Sequence, residues 1–476
     1  MARIPPIRTH ATMPARTVVE NYRCSEEHLP FDVSRGLSAK PGYFRLAPNT
    51  ICFGRYLGKF AALRNGSAGM SDAGEIRIED GRIELPFDPD EVIDNLRLER
   101  YPGSSMSRMD RLIKAVYYQL RPVVSESIRI FMQRLRAARW ETRGFPRWPV
   151  DTTVEDLGEK LLAHSLTATG TQAIPFVWFW PKGATGCVLM THDLESERGA
   201  AFCEQLIAID EEFGIRGSFQ IVPEERYPVS EEFLERLRCL GVEICVQDLN
   251  HDGRLFDERE KFLRRAARIN EYGRRFGANG YRSAVLYRRA DWYGDLDFSY
   301  DMSIPNVAPM DPQRGGCCTV RPYFIGKILE IPLTTVQDYT LFYILKERTI
   351  DLWKQQIEMI LAKNGLVSFI VHPDYIQEPE TFGVYKQLLG YLREIRERRN
   401  LWFALPGEIN DWWRARSRMS VVPDGKGWRI EGDGAERAAL AFATLVGGKV
   451  VYQLEPGNSD GGLPHISRPA VIRSGT

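Results

Sequence analysis

An excess of charge of either sign is missing from this chain. Lys plus Arg number 63 and Asp plus Glu number 63 in 476 residues, so no overall field draws the protein to nucleic acid or anionic lipid, and any such attraction is local. Long apolar runs are missing as well. Nothing reaches the length of a membrane-spanning helix, and the first two dozen residues carry Arg3, Arg8 and Arg16 without the apolar stretch of a secretory signal, which predicts a cytoplasmic protein. Cysteine is sparse: eight are scattered over the chain, no Cys-x-x-Cys occurs, and adjacent Cys317 and Cys318 have no His nearby. That pattern predicts reduced thiols and argues against a zinc finger or a redox motif. What is present is an ordinary globular composition, 43% hydrophobic and 26% charged. The length allows about three units of roughly 150 residues, or one large barrel with additions.

Along the chain the rhythm changes several times. Residues 1–40, rich in Pro, Arg and Thr, read as a mobile leader, and 41–175 as an accessory α+β region. Within it Ile76 and Ile78 alternate with polar residues, Asp80-Gly81 supplies a turn, and Ile83 and Leu85 resume the alternation, which predicts a hairpin. From Arg108 the stripe Leu112, Val116, Leu120, Val124, Ile128, Phe131, Leu135 has helical spacing, and Pro122 divides it into two helices meeting near Arg121. Between Arg108 and Arg147 ten Arg or Lys stand against three acidic residues. Three readings fit: a solvated helix face, a basic amphipathic pair resting peripherally on an anionic membrane surface, or a dock for an acidic partner, the last two helped by Tyr117, Tyr118 and Trp140. No nucleic-acid module accompanies the charge, so a nucleic-acid partner is not expected.

Pro146, Trp148 and Pro149 mark a joint, followed by a helix near 154–166 and an aromatic core stretch at 176–180. Residues 176–420 form the next unit. In it short apolar strands at 188–190, 218–222, 242–246, 328–331 and 367–371 alternate with helices near 200–213, 231–240, 256–275, 350–362 and 383–398. This alternation predicts parallel strands with crossover helices, an α/β layered sheet or barrel. Residues 421–476 read as a small β segment and a polar tail.

Polar residues gather just after these strands, where parallel α/β barrels keep their active sites. They are Thr191-His192-Asp193-Leu194-Glu195, Gln247-Asp248-Leu249-Asn250-His251, Tyr281-Arg282-Ser283, Asp297 to Asp301, and His372-Pro373-Asp374. Each has a plain structural alternative: Asp193 as a helix N-cap, His251 as a bonded loop residue, His372 as a structural residue before a proline. His192 reads as packing and His164 as surface.

In their order these groups resemble the motifs of the NodB-type polysaccharide deacetylases, carbohydrate esterase family 4, over residues 186–413. The resemblance implies a distorted (β/α) barrel and metal-dependent N-deacetylation of an acetylated amino sugar in polysaccharide or glycoconjugate synthesis. It implies Asp193 as general base, Arg282 as the residue orienting it, and His372 as general acid. A divalent metal, in the first place Zn2+, would fall to Glu195 and His251, with Gln247 standing where the family has the first His of His-x-x-x-His. Asp301 and Asp374 are minor candidates for lining the groove or tuning His372.

The chemistry agrees, since amide hydrolysis needs an acidified water, a base for its proton and an acid for the departing amine. The sequence departs from the family at Gln247, a neutral amide among ligands normally drawn from His, Cys and carboxylates, and at Ala284, where Arg-x-Pro is usual. An ion held weakly, a harder ion that accepts amide oxygen, or no ion each fits that donor set. A catalytically inactive carbohydrate-binding or assembly protein on the same barrel is the rival reading, and an amidase acting on another small C–N bond is a third.

Overall fold

The computed structural model describes residues 15–48, 50–58, 71–104, 114, 125–137, 144–425 and 427–455. Among these, nine strands form one sheet: β1 (Gly186–Leu194), β2 (Gly217–Ile221), β3 (Glu243–Gln247), β4 (Gly280–Arg282), β5 (Tyr300–Asp301), β6 (Tyr323–Ile325), β7 (Ile328–Glu330), β8 (Leu366–Val371) and β9 (Leu401–Phe403). Their order is β6-β7-β5-β4-β3-β2-β1-β8, with β9 also on β1, and every pairing but β6–β7 is parallel. Beyond β7 the chain runs to β8: Thr335 N donates to Ser368 O at 3.3 Å, and Thr334 Oγ1 donates to Leu366 O at 2.6 Å. The chain leaving β7 is thus hydrogen-bonded to β8, which lies at the other side of the strand order, without a strand ladder between them.

Parallel strands require long crossovers, and five of them here are α-helical: α1 (Glu197–Glu212), α2 (Glu231–Cys239), α3 (Arg259–Phe276), α4 (Asp351–Leu361) and α5 (Pro379–Arg398), while α6 (Pro406–Ser417) follows β9. Local chemistry sets their ends. Ser196 and Ser230 cap α1 and α2 by accepting from Gly199 N and Phe233 N, both at 3.1 Å, and Gly277 in the left-handed region at φ 61° ends α3. The five strands and five helices expected from the apolar pattern of 186–398 are all found, with ends displaced by a few residues.

Side chains of adjacent strand residues point to opposite faces, and the two faces belong to two cores. Val188, Met190, Phe219, Ile221, Ile244, Val246, Val367, Phe369 and Val371 pack outward under the helices. Cys187, Leu189, Cys245, Tyr300, Leu329 and Leu366 point the other way, into a core shared with Phe179, Trp180, Trp412 and the N-terminal region. Gly280 is required on this inner face, because a Cβ there would lie 2.1 Å from the Tyr300 ring.

Residues 16–33 differ from the expected mobile leader. The helix Arg16–Tyr22 buries Val18 and Tyr22, and Phe31–Val33 pairs in parallel with Arg82–Leu85, so short apolar pieces gain order from the common core. The hairpin of Arg77–Glu79 and Arg82–Leu85 turns through Asp80 and Gly81, both at positive φ, as its Asp-Gly signal requires. The helix near 154–166 is Thr153–Thr169. The expected helix junction at Arg121 lies outside the described residues, while Glu126–Ala137 is helical.

The C-terminal β segment is joined to the rest: Leu440–Val446 pairs with both Lys449–Leu454 and Ala173–Val177. There Tyr22 and Tyr452 bring their hydroxyls within 2.8 Å, and buried Arg416 donates to the carbonyls of Asn21, Val177 and Trp178. All eight cysteines are free thiols.

Candidate active site

Strand register brings the chemistry together. On β1, Cys187 and Leu189 face inward, so Thr191 and Asp193 do too, while His192 faces α1, where its Nε2 meets Asp210 Oδ2 at 2.8 Å. Ile370 of β8 is the partner of Thr191, which makes His372 the next inward neighbour, beside Asp193. Gln247 and Arg282 are register partners at the ends of β3 and β4. The polar cluster therefore occupies the C-terminal ends of parallel strands.

Arg282 is fully buried and organises the centre. Its Nη1 donates to Asp193 Oδ1 at 2.5 Å and to Thr191 Oγ1 at 2.8 Å, and its Nε donates to Met302 O at 3.0 Å. A buried ion pair is tolerable only when hydrogen bonds satisfy it in this way. Asp193 caps no helix, since Ser196 holds that position on α1. Gln247 spans the two carboxylates: its Nε2 donates to Asp193 Oδ2 at 3.0 Å and Glu195 Oε1 at 3.1 Å, leaving its buried Oε1 without a partner.

Two imidazoles flank Glu195. His251 Nε2 lies 2.8 Å and His372 Nε2 3.5 Å from Glu195 Oε1. Burial alone would raise the Glu195 carboxyl, but the pull of His251 and then of His372 outweighs it and holds the group well below the usual carboxylate range. For His372 burial disfavours the charged ring, yet the charge and hydrogen bond of Asp338, then those of Glu195, raise it well above the usual histidine value. Asp338 grips His372 twice, accepting from Nδ1 and from the backbone N at 2.7 Å each. Arg226 Nη2 donates to His251 Nδ1 at 3.1 Å and to His251 O at 2.8 Å. An arginine cannot accept, so this contact favours the tautomer with the ring proton on Nε2, toward Glu195.

Asp193, Glu195 and His372 offer donor atoms within 4.8 Å of one another, a grouping that could hold a metal ion. Two carboxylates and an imidazole suit a divalent cation, and a carboxylate behind Nδ1, here Asp338, is the usual support for a ligating histidine. By donor chemistry the residues fit such an ion.

Of the two minor candidates, Asp301 stands apart from the cluster and Asp374 lies at its edge, where its carboxyl feels the charges of His372 and Glu195. Asp301 shares the outer face with Tyr281 and Glu330, its register partners, and is bonded by Ser303. Asp374 accepts from Ser196 Oγ, with Gly199 leaving it room: a Cβ there would sit 2.6 Å from Oδ2. Sequence reasoning missed Asp338, Arg226 and Gln220, the last being the register partner of Asp193. The only signal for Asp338 was an acidic residue between β7 and β8; alternation along β2 could have found Gln220.

The fold and cluster define an α/β protein with a carboxylate–imidazole site on a mainly parallel sheet. No family model matches the chain, and no curated protein matches it. Among solved structures it is similar to a Mycobacterium smegmatis protein classed provisionally as a polysaccharide deacetylase, with 17% identity, 50% of this chain and 94% of that one covered, and TM-score 0.40. A Pseudomonas aeruginosa PAO1 protein of the same provisional class gives 13%, 49%, 93% and 0.39. An allantoinase gives 13%, 50%, 92% and 0.40. At these values they are resemblances over half of the chain, and the chemistry rests on the residues described above.

Proposed function

We propose that the protein is a metal-dependent amide hydrolase of the N-deacetylase type, acting on an acetylated amino sugar in polysaccharide or glycoconjugate synthesis, and that its sheet is a distorted (β/α) barrel. The observation that carries this reading is the buried Arg282–Asp193 pair lying against Glu195 and the Asp338-backed imidazole of His372. Glu195 would hold a divalent ion together with the imidazole of His251, whose Nε2 lies 2.8 Å away and would give up its proton to do so, which leaves Asp193 and His372, the other members of the cluster, free for proton transfer. Such an ion supplies an acidified water and polarises the acyl oxygen. Arg282 fixes Asp193 through Oδ1, which leaves Oδ2, now bonded to Gln247, to take a proton from a nucleophile. Asp338, and then Glu195, bias the His372 ring toward its protonated form, which suits it to giving a proton to a leaving amine.

The rival, a carbohydrate-binding protein without catalysis, is favoured by the amide of Gln247 between the two carboxylates and by Arg226 behind His251. Metal analysis of the purified protein and acetate release from N-acetylglucosamine oligomers separate the two. The enzyme reading expects bound metal and acetate release that disappears in Asp193→Asn with an unchanged melting profile; neither metal nor acetate at any metal concentration would leave the binding reading.

A further inference from the structure

Asp301 takes no part in the cluster, yet it is buried beside Glu330, its register partner on β7, close enough to share a hydrogen bond with it. No cation is among the groups that act on the pair most strongly; these are the two carboxyls themselves, Ser303, Tyr293, the Ile304 amide and Cys317. Ionising both would put two unpaired charges side by side out of water, so the pair holds one shared proton. Burial raises both carboxyls, and the Asp301 charge raises Glu330 further, which makes Glu330 the member that carries it. The bonding agrees. Asp301 accepts through both oxygens, whereas Glu330 accepts from Ile304 N through Oε1 at 2.9 Å and its buried Oε2 has no other partner.

Both carboxyls grip the residues that follow β5. Asp301 Oδ2 accepts from Ser303 N at 3.0 Å and Oδ1 from Ser303 Oγ at 2.7 Å, while Glu330 holds Ile304. The same segment is the seat of Arg282. Met302 O receives Arg282 Nε at 3.0 Å, and Ser303 Oγ receives the amide of the next residue, Ser283, at 2.8 Å. A guanidinium is a rigid planar fork, so the bond at Nε sets the plane in which Nη1 reaches Asp193. One buried path thus runs from Glu330 and Asp301 through Ser303 to the strand end that aims Arg282.

We propose that Asp301 and Glu330 are positioning residues for Arg282: together they fix residues 302–304, and through them the guanidinium that fixes Asp193. The consequence for catalysis rests on the deacetylase reading above, whereas the effect on Arg282 does not. Ser303→Ala deletes the hydroxyl that joins Asp301 to Ser283, and Asp301→Asn leaves one acceptor oxygen where Ser303 N and Oγ need two. Glu330→Gln is the conservative change, since its amide still accepts from Ile304 N and donates to Asp301 in place of the shared proton.

The test reads Arg282 directly, as hydrogen exchange of its Nε–H in the full chain carrying isotope-labelled arginine, the resonance being identified by its loss in Arg282→Lys. Exchange should quicken about tenfold or more in Ser303→Ala and in Asp301→Asn, and keep its wild-type rate in Glu330→Gln. Ser303→Ala, the milder change, is decisive by itself. Unchanged exchange in that folded variant overturns the proposal. So does equal quickening in Leu440→Ala, a destabilising change in another sheet, which would reduce the effect to general loosening. For acetate release from N-acetylglucosamine oligomers, Ser303→Ala should lower kcat about tenfold with KM held within about twofold, while Glu330→Gln keeps both. Quickened exchange with kcat unchanged overturns the link to Asp193. Quickened exchange in a protein whose wild type releases no acetate would reject the deacetylase reading and keep the positioning of Arg282.

Discussion

Gln247 offers the sharpest perturbation, because its amide now bridges Asp193 and Glu195 where a cation would otherwise be attracted. The two bonds, at 3.0 and 3.1 Å, both end on carboxylates. Hydrogen bonds to charged groups contribute about 1.5–3 kcal/mol each, so a metal that draws both carboxylates must displace ~3–6 kcal/mol of existing interaction. At a factor of ten per ~1.4 kcal/mol, that is a penalty of about a hundredfold to ten-thousandfold in affinity. Gln247→Ala removes the bridge and leaves two neighbouring carboxylates unpartnered, which should raise affinity for Zn2+ or Mn2+ by at least about a hundredfold. Calorimetric titration of metal-free wild type and variant measures this, with thermal melting as the check on folding. Equal binding by Gln247→Ala would refute the reasoning, and weaker binding would in addition identify the Gln247 amide oxygen as a ligand instead of a competitor.

Asp338→Asn should lower the pKa of His372, since Asp338 is the foremost group raising it against burial; the alkaline limb of any pH–activity profile should then move to lower pH, and an unmoved limb would detach Asp338 from the acid. Glu330, buried next to Asp301, has its carboxyl raised well above the usual range by burial and then by the Asp301 charge. A folded state that holds this proton more tightly than the unfolded chain loses stability as pH rises from the ordinary glutamate value through the raised one, at up to about 1.4 kcal/mol per pH unit. Urea midpoints should therefore decline less steeply in Glu330→Gln than in wild type over that window, and parallel slopes would contradict the assignment. Gly280→Ala forces a Cβ against the Tyr300 ring and should cost about 1–3 kcal/mol of stability, read as a fall in melting temperature; a neutral result would mean that the inner face is loosely packed.

Much of the central sheet was legible because strands buried on both faces are short apolar runs, and β1, with all nine residues buried, is the clearest case. The clustering of Asp193, Gln247, Arg282 and His372 was legible for a related reason: inward-facing residues near C-terminal strand ends share one opening. Asp301 was harder to place, since β5 has only two residues and a single step of alternation decides whether Tyr300 or Asp301 faces in; the bulk of Tyr300, received by Gly280, decides it. Asp338 opens a short helical turn leading into the π-helix Thr340–Leu345, just after irregular chain at Val336 that Trp353 and Gln356 hold by bonds with no periodic signature. Residues 16–33 owe their order to partners that lie from about fifty to more than four hundred positions away, Arg82–Leu85 and Asp90 among the nearer and Tyr452 the farthest, which no local window contains.

The meeting of Tyr22 with Tyr452 has a consequence for biosynthesis. The two hydroxyls are 430 positions apart, and the aromatic core around them also needs Trp412 and the strand Leu440–Val446. At roughly 5–20 residues per second the ribosome takes on the order of tens of seconds to cover that distance. Until then Phe176, Trp178, Phe179 and Trp180 await partners that have not been made, and a chain stalled before residue 440 would leave this aromatic surface open to water. Such a nascent chain is a natural client for a holding chaperone, and truncation near the C-terminal strands should yield aggregates rather than a smaller folded protein.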